Sequence, residues 1–125
     1  MSSRDIEGEN LLYLPQAKVY HRSCAVGPWV RVGATEAEAR EWDISMQIGR
    51  DGKTVFEGSV SVNQIKRSFD ELRDFMFQSQ VFPFGCALLT GTGLVPDDDF
   101  TLEEGDAIRI EISGIGSLHN PVVRV

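Results

Sequence analysis

Cysteine and histidine are scarce in this chain, with two of each in 125 residues. Cys24 and Cys86 stand far apart, without Cys-x-x-Cys or Cys/His ligand spacing, which excludes a zinc ribbon or a disulfide framework. Neither has a sequence partner that would activate a thiolate, so both read as small, soft core residues of a reduced, cytoplasmic protein. Positive charge is the minority sign, 12 Lys and Arg against 19 Asp and Glu, for a formal net charge of -7. Such a surface does not recruit phosphates, which excludes a general nucleic-acid or anionic-membrane binder and leaves room only for a local basic pocket. No run is long and apolar enough to span a membrane, and the first residues lack the basic-then-apolar pattern of a signal peptide. Internal repeats, linkers and low-complexity tracts are missing too.

What is present is the profile of one modest domain or of a piece of a larger one, 42% hydrophobic and 25% charged. The clearest element is a hairpin. Ile44, Met46 and Ile48 alternate with polar residues, Val55 opens a second strand, and Asp51-Gly52 supplies the positive-φ pair of a tight turn. The stretch SFDELRDFMFQSQ predicts a helix, with Ser68 as cap, Glu71 reaching back to it, and Phe69, Leu72, Phe75 and Met76 on one core-facing stripe. A shorter helical turn or mobile loop is expected over Ala34–Trp42. Between Lys18 and Val32 the β-branched and aromatic residues predict two extended segments bent at Gly27-Pro28. CALLTGTGLVP predicts a buried strand ending in a Thr/Gly turn, AIRIEISGIG a further strand, and SLHNPVVRV a short returning one. Asp97, Asp98 and Asp99 lack the alternating ligands and closing glutamate of a calcium loop, so the acidic run belongs to solvent. The sum is a strand-rich α+β unit with one clear helix.

The chemistry-bearing residues concentrate at the start, in SSRDIEGENLLYLPQAKVY. Arg4, Asp5, Glu7 and Glu9 are too polar for a core strand, and Gly8 and Asn10 interrupt a helix. A loop so rich in ionisable groups is either a chain end without fixed structure or the lining of a charged site.

With SCAVGPW, LLTGTGLVP, LEEGDAIRIEI and GIGSLHNPV following in order, that block resembles the fumarylacetoacetate hydrolase superfamily along nearly the whole chain, matching the later part of its catalytic domain. The resemblance implies a mixed sheet or β-roll, a homodimer, and a magnesium or manganese ion polarising a 2-oxo acid. Carried over position by position, it makes Lys18 the lysine beside the metal and Glu7 the partner for acid–base work. Thr92 and Gly93 become the turn that holds the substrate carboxylate, and Arg4 a brace at the metal loop that also serves substrate binding. The family reads Asn-Asp-x-Ser-Ala/Ser-Arg-Asp here, with Met1 standing just past its metal-binding aspartate. Its upstream Glu-x-Glu pair is not in these residues, so no metal ligand is assigned. The expectation is a partial catalytic domain over 1–125, inactive or nearly so by itself, from a shortened polypeptide, a fragmentary gene or a start assigned to an internal methionine. After the lysine, Val19-Tyr20-His21-Arg22 replaces the hydrolases' Ser-Phe-Asp-Thr, and GEN-L-YLPQAKVY is more similar to the 2-dehydro-3-deoxy-arabinonate dehydratase branch. His21 then reads as a strand histidine with a structural hydrogen bond, or as a proton shuttle. His119 is a surface or turn residue. The alternatives are an acylpyruvate or fumarylacetoacetate-type carbon–carbon hydrolase, and a non-catalytic piece that keeps the fold and a dimer surface including Trp29, Phe82 and Phe84.

Overall fold

A computed structural model describes residues 4–125, with side chains from Ile6 onward. Its centre is a four-stranded sheet in the order β2-β1-β3-β4, built from β1 (Asp43–Arg50), β2 (Lys53–Ser61), β3 (Ala107–Ile112) and β4 (Gly116–Pro121). Expected as a mixed sheet or β-roll, it is antiparallel at each of its pairings. The hairpin turn is the one the sequence demands: Asp51 and Gly52 sit at φ of 51° and 74°. Register then stacks one apolar face. Ile48 lies between Phe56 and Ile108, Met46 between Gly58 and Ile110, and Ile44 between Val60 and Ile112. Ile48, toward the turn end of that face, is buried.

The described residues also form four α-helices, α1 (Arg4–Glu9), α2 (Leu14–Lys18), α3 (Glu36–Arg40) and α4 (Phe69–Phe77). Of these, only α4 exceeds two turns. Ser68 Oγ accepts the Glu71 N–H at 3.1 Å, as the capping pattern predicts, while the Glu71 carboxylate lies 3.7 Å from Arg67 Nε. Arg40 ties α3 to this region: it donates to Glu36, to the Ile65 carbonyl at 2.7 Å and to the Arg67 carbonyl at 2.9 Å. Glu36 also accepts the Phe69 N–H at 2.9 Å, and that bond, with Arg40 beside it, holds its carboxyl below the usual range.

A second arginine fixes the long acidic loop before β3. Asp106 is fully buried and takes two 2.8 Å bonds from Arg50 at the end of β1, plus the Glu103 N–H at 2.9 Å. Arg50 also donates to the Thr101 carbonyl at 2.8 Å, pairs with Glu103, and lies over the Phe100 ring. Phe100 in turn packs on Phe56 of β2, with ring centroids 6.0 Å apart. The loop is therefore strapped across one face of the hairpin.

Several expectations fail, each for a physical reason. From Arg4 on, the opening block is helical: one interior glycine costs only about 1 kcal/mol, and Asn10 restarts the chain by accepting the Leu12 N–H at 2.9 Å. Lys18–Val32 contains a helix end, turns and unpaired chain rather than strands, so His21 sits exposed in a turn. CALLTGTGLVP forms no strand: Gly91, at a φ of 86°, breaks the extended run, and the stretch pairs with neither edge strand, β2 nor β4. Consequently Cys86, like Cys24, is exposed and not core. Phe75 leaves the helical stripe, being 70% exposed, while Phe69, Leu72 and Met76 stay half-buried. His119 is exposed on β4, with Nε2 3.4 Å from Ser117 Oγ. No helix among the described residues is long and apolar enough to cross a membrane.

The surface is large for the mass. The chain exposes 9691 Å², whereas a compact monomer of 13.9 kDa exposes roughly 6,700 Å². Trp29, Val81, Phe84 and Leu89 contribute to the excess.

Candidate functional site

Two of the sequence-predicted residues meet. Asn10 caps the short 3₁₀ turn Leu11–Tyr13, Pro15 occupies the first turn of α2, where its missing N–H is harmless, and α2 then packs back along α1. Ala17 is fully buried and fixes the helix at its last turn. The neighbouring side chain, Lys18, reaches Glu7 on α1, with Nζ 3.1 Å from each carboxylate oxygen. Both remain partly open to solvent, at 45% and 36%. A cation and a carboxylate at this distance make a proton donor and a proton acceptor side by side.

Thr92 and Gly93 belong to a different element, the loop between α4 and β3. Thr92 Oγ1 accepts the Leu94 N–H at 3.0 Å, and Thr92 and Gly93 are exposed. Arg4 lies outside the residues whose side chains are described. Two concave places stand out, a groove of about 460 Å³ between α4 and Gly85–Thr90, and one of about 210 Å³ beside Trp29 and Ile115. Neither is lined by Lys18, Glu7, Thr92 or Gly93.

The donor set of the described residues does not make a cation site. Among the described residues no three His, Cys, Asp or Glu side chains converge, and both Glu7 oxygens face the Lys18 ammonium. Magnesium requires a near-octahedral oxygen shell, and these residues do not fit it. What the arrangement does offer is proton transfer and anion stabilisation at Lys18–Glu7, and hydrogen-bond donors at the Thr92 turn.

The reading from sequence missed Arg50, Asp106, Gly58 and Leu94. The last two matter because a side chain at Gly58 would collide with Leu94, 2.7 Å from its Cδ1.

Comparison with known proteins gives the family. The family profile described as fumarylacetoacetate (FAA) hydrolase C-terminal matches residues 1–123. A probable 2-keto-3-deoxyxylonate dehydratase of Haloferax volcanii is 45% identical over 125 residues, covering 100% of this chain and 43% of that protein. The 2-dehydro-3-deoxy-D-arabinonate dehydratase of Saccharolobus solfataricus is 40% identical over 122 residues, 98% of this chain and 41% of that protein. A solved 2-keto-3-deoxy-D-arabinonate dehydratase, complexed with magnesium and 2,5-dioxopentanoate, superimposes with a TM-score of 0.92 at 40% identity, over 97% of this chain and 43% of that one. The chain thus spans about two-fifths of the length of the relatives it matches.

Proposed function

The chain belongs to the fumarylacetoacetate hydrolase C-terminal family, and from that premise we propose that it forms part of a dehydratase of 2-oxo-3-deoxy sugar acids of the arabinonate or xylonate type. The observation that carries this reading is the likeness to such dehydratases along the whole chain. The Lys18–Glu7 pair supplies chemistry that fits it. Thr92 and the Gly93 N–H hold the substrate carboxylate. Lys18 steadies the negative charge that gathers on the keto oxygen as a proton leaves C3, and Glu7 takes or returns that proton. The C4 hydroxyl then departs with a proton as water, leaving the carbon skeleton intact.

Arg4 braces the same site in this proposal, and the protein works in the cytoplasm. Self-association as a homodimer belongs to it too, and the exposed area, well above that of a compact monomer of this mass, supports a covered face. A second reading has its own observation. Since the described residues form no cation cage, the 125 residues alone act as a piece that keeps the fold without turnover.

The test is product analysis by NMR, with the protein that carries this chain, magnesium and 2-dehydro-3-deoxyarabinonate. A dehydrated 2-oxo acid with an unbroken carbon chain is expected. Splitting of an acylpyruvate by water into pyruvate and a carboxylic acid, with the sugar acid left intact, assigns the carbon–carbon hydrolase instead. Full turnover by residues 1–125 alone contradicts the second reading.

A further inference from the structure

The loop that carries Thr92 is seated on one face of β2. Phe56, Gly58 and Val60 alternate along that face. Phe100 packs on Phe56, Leu94 enters the notch at Gly58, and Gly93 approaches Val60, with a Cβ placed at Gly93 lying 3.5 Å from Val60 Cγ2. The notch is tight. A Cβ at Gly58 would stand 2.7 Å from Leu94 Cδ1 and 3.6 Å from Phe56 Cζ, so only glycine leaves the leucine its place. Leu94 is half-buried there, although its neighbours Gly93 and Val95 are exposed.

We propose that Gly58 and Leu94 are positioning residues, a notch and its plug, that set the Thr92 hydroxyl for the carboxylate of the 2-oxo acid; this rests on the substrate reading above. The link is covalent and short. The Leu94 side chain fills the notch while its backbone N–H donates to Thr92 Oγ1 at 3.0 Å. That bond occupies one acceptor position of the hydroxyl, and the β-branched side chain has few χ1 choices, so the O–H proton is left to point to a ligand. Displacing Leu94 moves the bond and with it the hydroxyl. An error of an ångström in such a contact is enough to lose it. The collision itself is cheap for the fold, because the atom that must move is the end of a flexible side chain, and alanine suits a strand at least as well as glycine.

Gly58→Ala in the magnesium-loaded protein that carries this chain is therefore expected to raise KM for 2-dehydro-3-deoxyarabinonate about tenfold, the worth of one hydrogen bond to a charged group, with kcat nearly unchanged. The Leu94 amide exchanges its hydrogen faster in this variant. Adding Leu94→Val removes the clashing Cδ1 and restores KM, a rescue that general loosening of the sheet would not give. Leu94→Ala empties the notch without adding an atom and raises KM in the same way, so the idea stays testable if Gly58→Ala folds poorly. Thr92→Val separates the two levels of the argument. If it raises KM while Gly58→Ala and Leu94→Ala do not, the positioning role is overturned and the substrate reading stands. If Thr92→Val leaves KM unchanged, or the unsubstituted protein turns over no keto acid, the substrate reading falls and takes the positioning role with it.

Discussion

Lys18→Ala is expected to lower kcat for keto-acid dehydration about a thousandfold, the usual range for losing a positioned proton-transfer group. The fold gives this substitution little reason to act through stability. Lys18 and Glu7 are partly solvent-exposed, at 45% and 36%, and an ion pair of that kind contributes below about 1 kcal/mol. Urea unfolding of the variant should therefore track the parent while its turnover collapses. Glu7→Gln keeps an oxygen acceptor for the Lys18 ammonium but loses the proton-accepting charge. It should lower kcat with KM held, since its role falls in the proton-transfer step. A Lys18→Ala protein with normal turnover removes the pair from the mechanism.

Asp106→Ala is expected to be the most destabilising single change, by about 2–3 kcal/mol in urea unfolding. The carboxylate is buried, receives two 2.8 Å bonds from Arg50 and one from the Glu103 N–H, and leaves those donors without their acceptor when removed. The same geometry makes a pH prediction. Hydrogen bonding from Arg50, against the cost of burial and with help from the Glu103 N–H, lowers the Asp106 pKa from 3.8 to about 2. Arg50 is pushed further up by the same bonds and stays charged throughout. A depressed carboxyl pKa stabilises the fold at pH above its unfolded value, and that contribution is lost as pH falls from about 4 to about 2. Asp106→Asn should flatten stability over that window. If parent and variant lose stability in parallel between those pH values, Asp106 is not the group responsible.

Local signals made part of this molecule legible from sequence. Asp51-Gly52 between alternating apolar residues admits hardly anything but a tight hairpin, and Ser68 three residues before Glu71 marks the start of α4. The resemblance gave Lys18 and Glu7 separate site roles and no contact; their ion pair joins two short helices across eleven residues, which no periodicity announces. Where the sequence misled, longer-range facts decided. Cys86–Leu89 has the composition of a covered strand, yet it pairs with neither edge strand of the sheet and lies open. Gly8 and Asn10 looked like breakers, but one tolerated glycine and one capping side chain are compatible with two consecutive helices. Nothing in the sequence marks Asp106 as buried. Its burial depends on the β1–β3 register that sets Gly49 opposite Ala107 and so brings Arg50 to it, a fact no local pattern announces. Gly58 was equally silent, since a glycine in a strand says only that something comes close.

The most direct measurement is the position of a 2-oxo acid bound to the protein that carries this chain. The account predicts its carboxylate within about 3 Å of Thr92 Oγ1 or the Gly93 nitrogen, with its keto oxygen turned to Lys18 Nζ. A ligand bound away from both, with Lys18 still holding the two oxygens of Glu7, would contradict it.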